Sequence, residues 1–157
     1  MKILMICLGN ICRSPMAEGV LRHKLEENHL SGEVFVDSCG FEPYHLGEHP
    51  YRKATETAKR HGIDISQQRQ RLFSVEDFDN FDRIYVMDSG NYRDVQRMSR
   101  NENDMQKVDY LRNVVEPRSN KHVPDPWGRS DEDFEYAFEL IDEACEGIIK
   151  RIKFNTL

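Results

Sequence analysis

Cys7 and Arg13 bracket a five-residue loop, Leu8-Gly9-Asn10-Ile11-Cys12, that runs into Ser14-Pro15. A thiol, a guanidinium and a short run of backbone N–H groups are the parts of an anion-handling nucleophilic site. Ser14 is a good helix N-cap and Pro15 suits the first helical position. The loop then lies at the positive end of a helix dipole, where backbone N–H groups bind anions. Arg13 adds a planar cation that can hold two phosphate oxygens at once. A cysteine at the base of such a ring has its thiolate stabilised and its pKa lowered. The loop differs from other phosphate motifs. It has no Gly-Lys-Ser/Thr of a P-loop nucleotide site and no G-x-G-x-x-G spacing.

Attack on a phosphate monoester also needs a proton for the leaving oxygen. Asp125, flanked by Pro124 and Pro126, is the best-placed candidate on a separate, stiffened loop. Trp127 follows closely enough to exclude water, and Tyr44 reads as a loop aromatic at the cleft mouth. Asp37 and Asp88 read as caps or loop acceptors, and Arg69 and Arg71 as surface charge. The six histidines show no ligand spacing, and the cysteines show no zinc-site pattern. No metal is required, because Arg13 and the loop donors supply the positive charge; no cofactor is expected.

These residues need a scaffold. Ile3-Leu4-Met5-Ile6 reads as a buried strand ending at Cys7. A helix is expected from Ser14 to about Asn28, with Met16, Val20, Leu21 and Leu25 as its apolar stripe. Val34-Phe35-Val36 is a second strand, running to Gly40, followed by a polar loop with Pro43, Gly47 and Pro50. Residues 51–61 read as helix with Gly62 as C-cap. Ser74 to Asp79 is a helical turn capped by Ser74. Asp82 to Met87 is a third strand, Ser89 to Met98 a helix and Val108 to Leu111 a fourth strand. Residues 123–128 must be a loop, since two prolines and a glycine oppose regular structure. A last helix spans Asp131 to Lys153, with Phe134, Ala137, Phe138, Ile141, Ala144, Cys145 and Ile148 on its buried face. Strands alternating with helices imply an α/β fold, a parallel sheet with helices on both faces. In such sheets function gathers beyond the strand C-terminal ends, where the Cys7 loop lies.

The 157 residues suit one domain, 1–157, with a real core. A net charge of −6 argues against nucleic-acid binding and requires any anion site to be locally positive. No apolar run reaches membrane-span length, and Lys2 with its short apolar stretch is too brief for a signal peptide. Four cysteines without such a signal point to reduced thiols and a cytoplasmic setting.

Over nearly its full length the chain resembles the low-molecular-weight protein tyrosine phosphatases. The resemblance rests on the run from Cys7 through Arg13-Ser14-Pro15-Met16-Ala17-Glu18, then on Asp37-Ser38 with Gly40, Gly62 to Ser66, Glu76-Asp77-Phe78, Met87-Asp88 and Asp125-Pro126, in that order. It implies a four-stranded, twisted parallel sheet with the phosphatase loop after the first strand. It also implies hydrolysis of phosphotyrosine in proteins through a cysteinyl-phosphate. Cys7 would be nucleophile, Arg13 phosphate clamp and Asp125 general acid and base. Leu8, Gly9, Asn10, Ile11 and Cys12 would line the phosphate cradle. Asn10 would hold the loop shape with Ser38 behind it, Ser14 would donate to the thiolate, and Tyr44 and Trp127 would flank the substrate ring. The implied partner is a phosphotyrosine protein, with a tyrosine kinase among the candidates.

The chain departs from the family pattern in three places. Cys39 stands at a usual alanine, Gln68 near a usual histidine, and Trp127-Gly128 replace tandem tyrosines. Cys12 beside a low-pKa Cys7 suggests redox sensitivity through a reversible disulfide. Related arginine phosphatases typically carry threonine at the position of Ile11. Thiol-dependent arsenate reductases share the fold but need further cysteines after the third strand, and residues 88–107 have none. A catalytically idle phosphopeptide-binding module would lack Cys7, Arg13 or Asp125, and all three are present.

Overall fold

A computed structural model describes residues 1–157. The strands are β1 (Lys2–Ile6), β2 (Phe35–Cys39), β3 (Arg83–Val86) and β4 (Val108–Tyr110). The helices are α1 (Arg13–Glu27), α2 (Arg52–Arg60), α3 (Asp77–Asn80), α4 (Ser89–Met98), α5 (Glu102–Gln106) and α6 (Asp131–Lys153). The sheet order is β2-β1-β3-β4 and every pairing is parallel.

β1 is central because its sequence can be buried on both faces, as the middle strand of a parallel sheet must be. Ile3 and Met5 face one side, with Val36 and Tyr85, and pack against α1, α2 and α6. Leu4 and Ile6 face the other, with Ile84 and Val86, and meet Phe78 of α3 and Val95 of α4. The expected stripes of α1 and α6 are buried in the first of these layers. α6 starts at a capping box between Ser130 and Asp133, has three acids in its first turn and three bases in its last. That local consistency explains why its limits match the sequence reading. No helix is long and apolar enough to cross a membrane.

Some local expectations change. α1 begins at Arg13, so Ser14 lies inside the first turn and makes no cap. Its hydroxyl is drawn instead to the Cys7 side chain. α3 begins at Asp77, and the Ser74 backbone N–H donates to the Asp77 carboxylate at 2.9 Å, the reverse of a Ser74 side-chain cap. α5 has too few residues to show a period, but Asn101 accepts from the Asp104 N–H and caps it. Arg71 is no surface charge. Its Nε donates to Asp37 at 2.9 Å and its terminal nitrogens grip Asp77.

β1 pairs with β2 on one side and β3 on the other. The chain therefore leaves β1 at the point where successive connections diverge, the usual ligand crevice of such sheets. The Cys7–Arg13 loop fills that position.

Candidate active site

The loop carbonyls turn outward. The Leu8 carbonyl accepts from the N–H groups of Phe41 and Glu42, and that of Ile11 from Tyr51. The backbone N–H groups of residues 8–14, in contrast, donate to no protein acceptor. Such a consecutive run of unused donors is rare in a folded chain, where nearly all buried N–H groups are paired. They ring a cavity of about 160 Å³ that has Cys7, Gly9, Ile11 and Arg13 in its wall. That is smaller than the ~300–1,000 Å³ of drug-sized sites and suits a phosphate with one ring.

Arg13 is held edge-on. One terminal nitrogen donates to Asp88 at 2.7 Å and to the Val123 carbonyl at 2.9 Å. The other lies 3.7 Å from Asp125 Oδ2. Its Nε is buried and has no partner. A buried donor left unpaired costs free energy, and an anion in the cavity would relieve that cost. Burial works against the Arg13 charge, but Cys7 and the Asp88 hydrogen bond outweigh it and raise the guanidinium pKa. Burial likewise opposes the Asp88 carboxylate, yet the hydrogen bonds from Arg13 and the Asn91 N–H hold its pKa below the usual range.

Behind the cavity the polarity of the Asn10 hydrogen bonds is determined. Asn10 Oδ1 accepts from the Arg71 N–H at 3.1 Å, which orients the amide. Its Nδ2 then donates to Ser14 Oγ at 2.9 Å and Ser38 Oγ at 3.0 Å. The Ser38 hydroxyl donates to Glu18 at 2.6 Å, and Arg22 pairs with the other oxygen of Glu18. Ser14 Oγ lies 3.0 Å from Cys7 Sγ and 3.4 Å from the Cys39 carbonyl oxygen, so its single proton can serve either partner and a thiolate at Cys7 would draw it. Asn10 holds φ at 52°, a left-handed conformation that asparagine tolerates, and so closes the loop around the sulfur. Gly40 sits flush beneath it: an added Cβ would lie 2.7 Å from the Leu8 carbonyl oxygen and 2.8 Å from Asn10 N.

Asp125 reaches the cavity from the opposite side. Its Oδ1 accepts from the Trp127 N–H at 3.1 Å, and its side chain is 46% exposed, accessible to a substrate and to water. The Trp127 ring meets Tyr51 edge-on at 4.6 Å between centroids. Trp127 and Leu8 also line the cavity.

The family model for low molecular weight phosphotyrosine protein phosphatases matches residues 2–156. The chain belongs to that family. It is 34% identical over 151 residues to low molecular weight protein-tyrosine-phosphatase YfkJ of Bacillus subtilis, covering 96% of this chain and 95% of that one. A protein tyrosine phosphatase of Entamoeba histolytica, solved with Hepes in its active site, superposes with a TM-score of 0.92 at 30% identity, covering 100% and 99% of the two chains. A Drosophila arginine phosphatase superposes with a TM-score of 0.89 at 30% identity, covering 98% of each.

Against the family pattern, Cys7, Leu8, Gly9, Ile11, Cys12, Arg13, Asp125 and Trp127 meet at one cavity. Asn10 and Ser14 stand behind it, buried. Tyr44 is not in the wall: it is 81% exposed on a 3-10 turn, Pro43–His45. The next residue, His45, lines the cavity instead, together with Glu42. Gln68 donates to the Pro15 carbonyl at 3.1 Å and braces α1, while the Arg71 backbone supports Asn10. Cys39 is wholly buried under the loop, a small residue in a small space. Asp88 caps α4, as read, and also grips Arg13. Sequence reasoning missed Glu42, His45 and that second role of Asp88. A signal existed, because all three lie just past the C-terminal ends of strands adjacent to β1.

Proposed function

We propose that this protein hydrolyses phosphotyrosine in proteins through a cysteinyl-phosphate, with Cys7 as nucleophile, Arg13 as phosphate clamp and Asp125 as general acid and base. The observation that carries the reading is the unbroken set of unpartnered donors, N–H 8–14 and Arg13 Nε, around one sulfur. These donors would cancel the repulsion between a dianionic ester and a thiolate, and would stabilise the equatorial oxygens in the transition state. The Ser14 hydroxyl, 3.0 Å from the sulfur, would donate to it as an anion. Sulfur attacks phosphorus in line and the phenolic oxygen leaves, taking its proton from Asp125. Asp125, now ionised, accepts a proton from water as that water attacks phosphorus. Inorganic phosphate leaves and the thiolate returns. Fixed donors supply all the positive charge that this route needs.

Substrate choice follows from the cavity walls. Ile11 and Trp127 both line the cavity, and their apolar and aromatic surface would suit a phenyl ring. Such ring packing is worth ~1 kcal/mol. A phosphoserine stem is too short to bring its phosphorus down to Cys7. The likeness to an arginine phosphatase supports a second reading, phosphoarginine, which Ile11 opposes because it lacks a hydroxyl to assist attack at a phosphoramidate. Initial rates on three matched peptides decide the matter. Phosphotyrosine should be hydrolysed fastest, Cys7→Ser should abolish turnover while vanadate still binds, and Ile11→Thr should shift preference toward phosphoarginine. Faster turnover of phosphoarginine by the parent enzyme would overturn the assignment.

A further inference from the structure

One wall of the cavity carries a charge that catalysis of phosphate ester hydrolysis does not use. Glu42 follows the β2 exit, and its backbone is clamped at both ends: its N–H donates to the Leu8 carbonyl and its own carbonyl accepts from Gln70 Nε2 at 2.8 Å. The backbone of Glu42 is therefore fixed beside the loop, from where its side chain forms part of the cavity wall. Around Gly9, the position of an added Cβ lies 3.4 Å from Ile11 Cγ1, 3.6 Å from Glu42 Oε2 and 3.9 Å from His45 Cδ2. Glu42 and His45 both form cavity wall.

No cation in the protein answers this carboxylate. His45, the nearest ring that could, has its Nδ1 on Glu48 at 2.9 Å. Arg13 is occupied by Asp88, Val123 and Asp125. An unpaired anion beside a dianion site penalises every phosphate that enters. The penalty is offset only by a substrate that brings positive charge of its own to that wall.

Building on the phosphotyrosine reading, we propose that Glu42 is a specificity-determining residue that recognises a lysine or arginine flanking the phosphotyrosine of the substrate protein. Acidic flanks are rejected by the same charge. Selectivity arises in this way on the substrate backbone, outside the reach of the Cys7 loop donors.

The test uses the full-length protein and three phosphotyrosine peptides that differ only in the residues on both sides of the phosphotyrosine: lysine, glutamine or glutamate. kcat/KM should rank lysine over glutamine over glutamate, by roughly two- to five-fold per step, the size of a part-exposed ion pair. The ranking should shrink as salt rises, because such pairs are screened. Glu42→Gln should level the three peptides and tighten competitive inhibition by inorganic phosphate. Equal rates on all three peptides in the parent, or a ranking that survives Glu42→Gln, would overturn the inference. Glutamine tests charge without removing the side chain, and urea unfolding of the variant confirms that it folds. p-Nitrophenyl phosphate, which has no flanking residues, separates the two readings. Its turnover with flat peptide rates refutes the role of Glu42 alone, whereas absence of its turnover refutes the phosphatase reading itself.

Discussion

Gly40→Ala isolates how far the loop depends on what lies beneath it. An added Cβ would meet the Leu8 carbonyl oxygen at 2.7 Å, Asn10 N at 2.8 Å and Asn10 Cβ at 2.9 Å. Ordinary contact begins near 3.4 Å, so the shortfall is about 0.5–0.7 Å on three atoms at once. None of the three is the free end of a flexible side chain. Gly40 cannot retreat, because its N–H donates to the Arg71 carbonyl at 3.0 Å and its carbonyl accepts from Phe73 at 2.8 Å. The loop must therefore move, and Asn10, which orients Ser14 and hence Cys7, must move with it. Overpacking of this kind costs about 1–3 kcal/mol of stability. A displacement approaching 1 Å at reacting groups costs up to about 100-fold in rate, so a shift of half that size should cost on the order of 10-fold or more in kcat. The assay is kcat on p-nitrophenyl phosphate beside urea unfolding. Gly32→Ala is the control, since nothing lies within 4 Å of an added Cβ there, and it should change neither quantity appreciably. A Gly40→Ala enzyme with parental kcat would refute the argument, whatever its stability.

Three further outcomes are expected. Asp125→Asn should slow esters of poor leaving groups far more than those of good ones, because a low-pKa phenol needs little protonation; equal losses across a series of aryl phosphates would remove Asp125 as the acid. Mild peroxide should inactivate the enzyme reversibly: Cys7 is oxidised to sulfenic acid, and the buried Cys12 thiol, whose pKa burial and Cys7 push up, displaces water to form the disulfide. Mass spectrometry finding sulfinic acid at Cys7 and no bridge would refute this. Hydrogen bonds from Arg100 hold the Asp104 carboxyl at about 2, below its unfolded value near ~3.9. Its stabilising contribution is thus complete above pH ~4 and is lost as pH falls toward 2. Asp104→Asn should flatten the acid limb of urea midpoints over that window, and an unchanged limb would contradict the linkage.

The features legible in the sequence are those that depend on near neighbours. The β1 apolar run, the α1 and α6 stripes and the Gly62 helix stop each depend on residues within a turn or two of each other. So does the Cys7–Arg13 loop, whose N–H donors and thiol are contiguous. α5 and the true start of α1 escaped because five residues carry no period and because the Ser14 hydroxyl meets Asn10, Cys7 and the Cys39 carbonyl instead of its own helix.

The cavity wall was different. Residues 42, 45, 88 and 123 come to the loop from the β2 exit, the β3 exit and the segment before α6. Glu42, His45 and Asp88 have no local pattern that distinguishes a site residue from a surface one, and Val123 acts through its backbone carbonyl. The same holds for Arg71, which reads as solvated charge until Asp37 and Asp77 close on it. Tyr44 and His45 are adjacent on one tight turn, so their side chains point in different directions, and only the turn's docking against Leu8 and Gln70 decided which of them entered the cleft. Chemistry carried by contiguous residues is written in their order, whereas chemistry assembled across strand ends depends on the sheet register that brings those ends together.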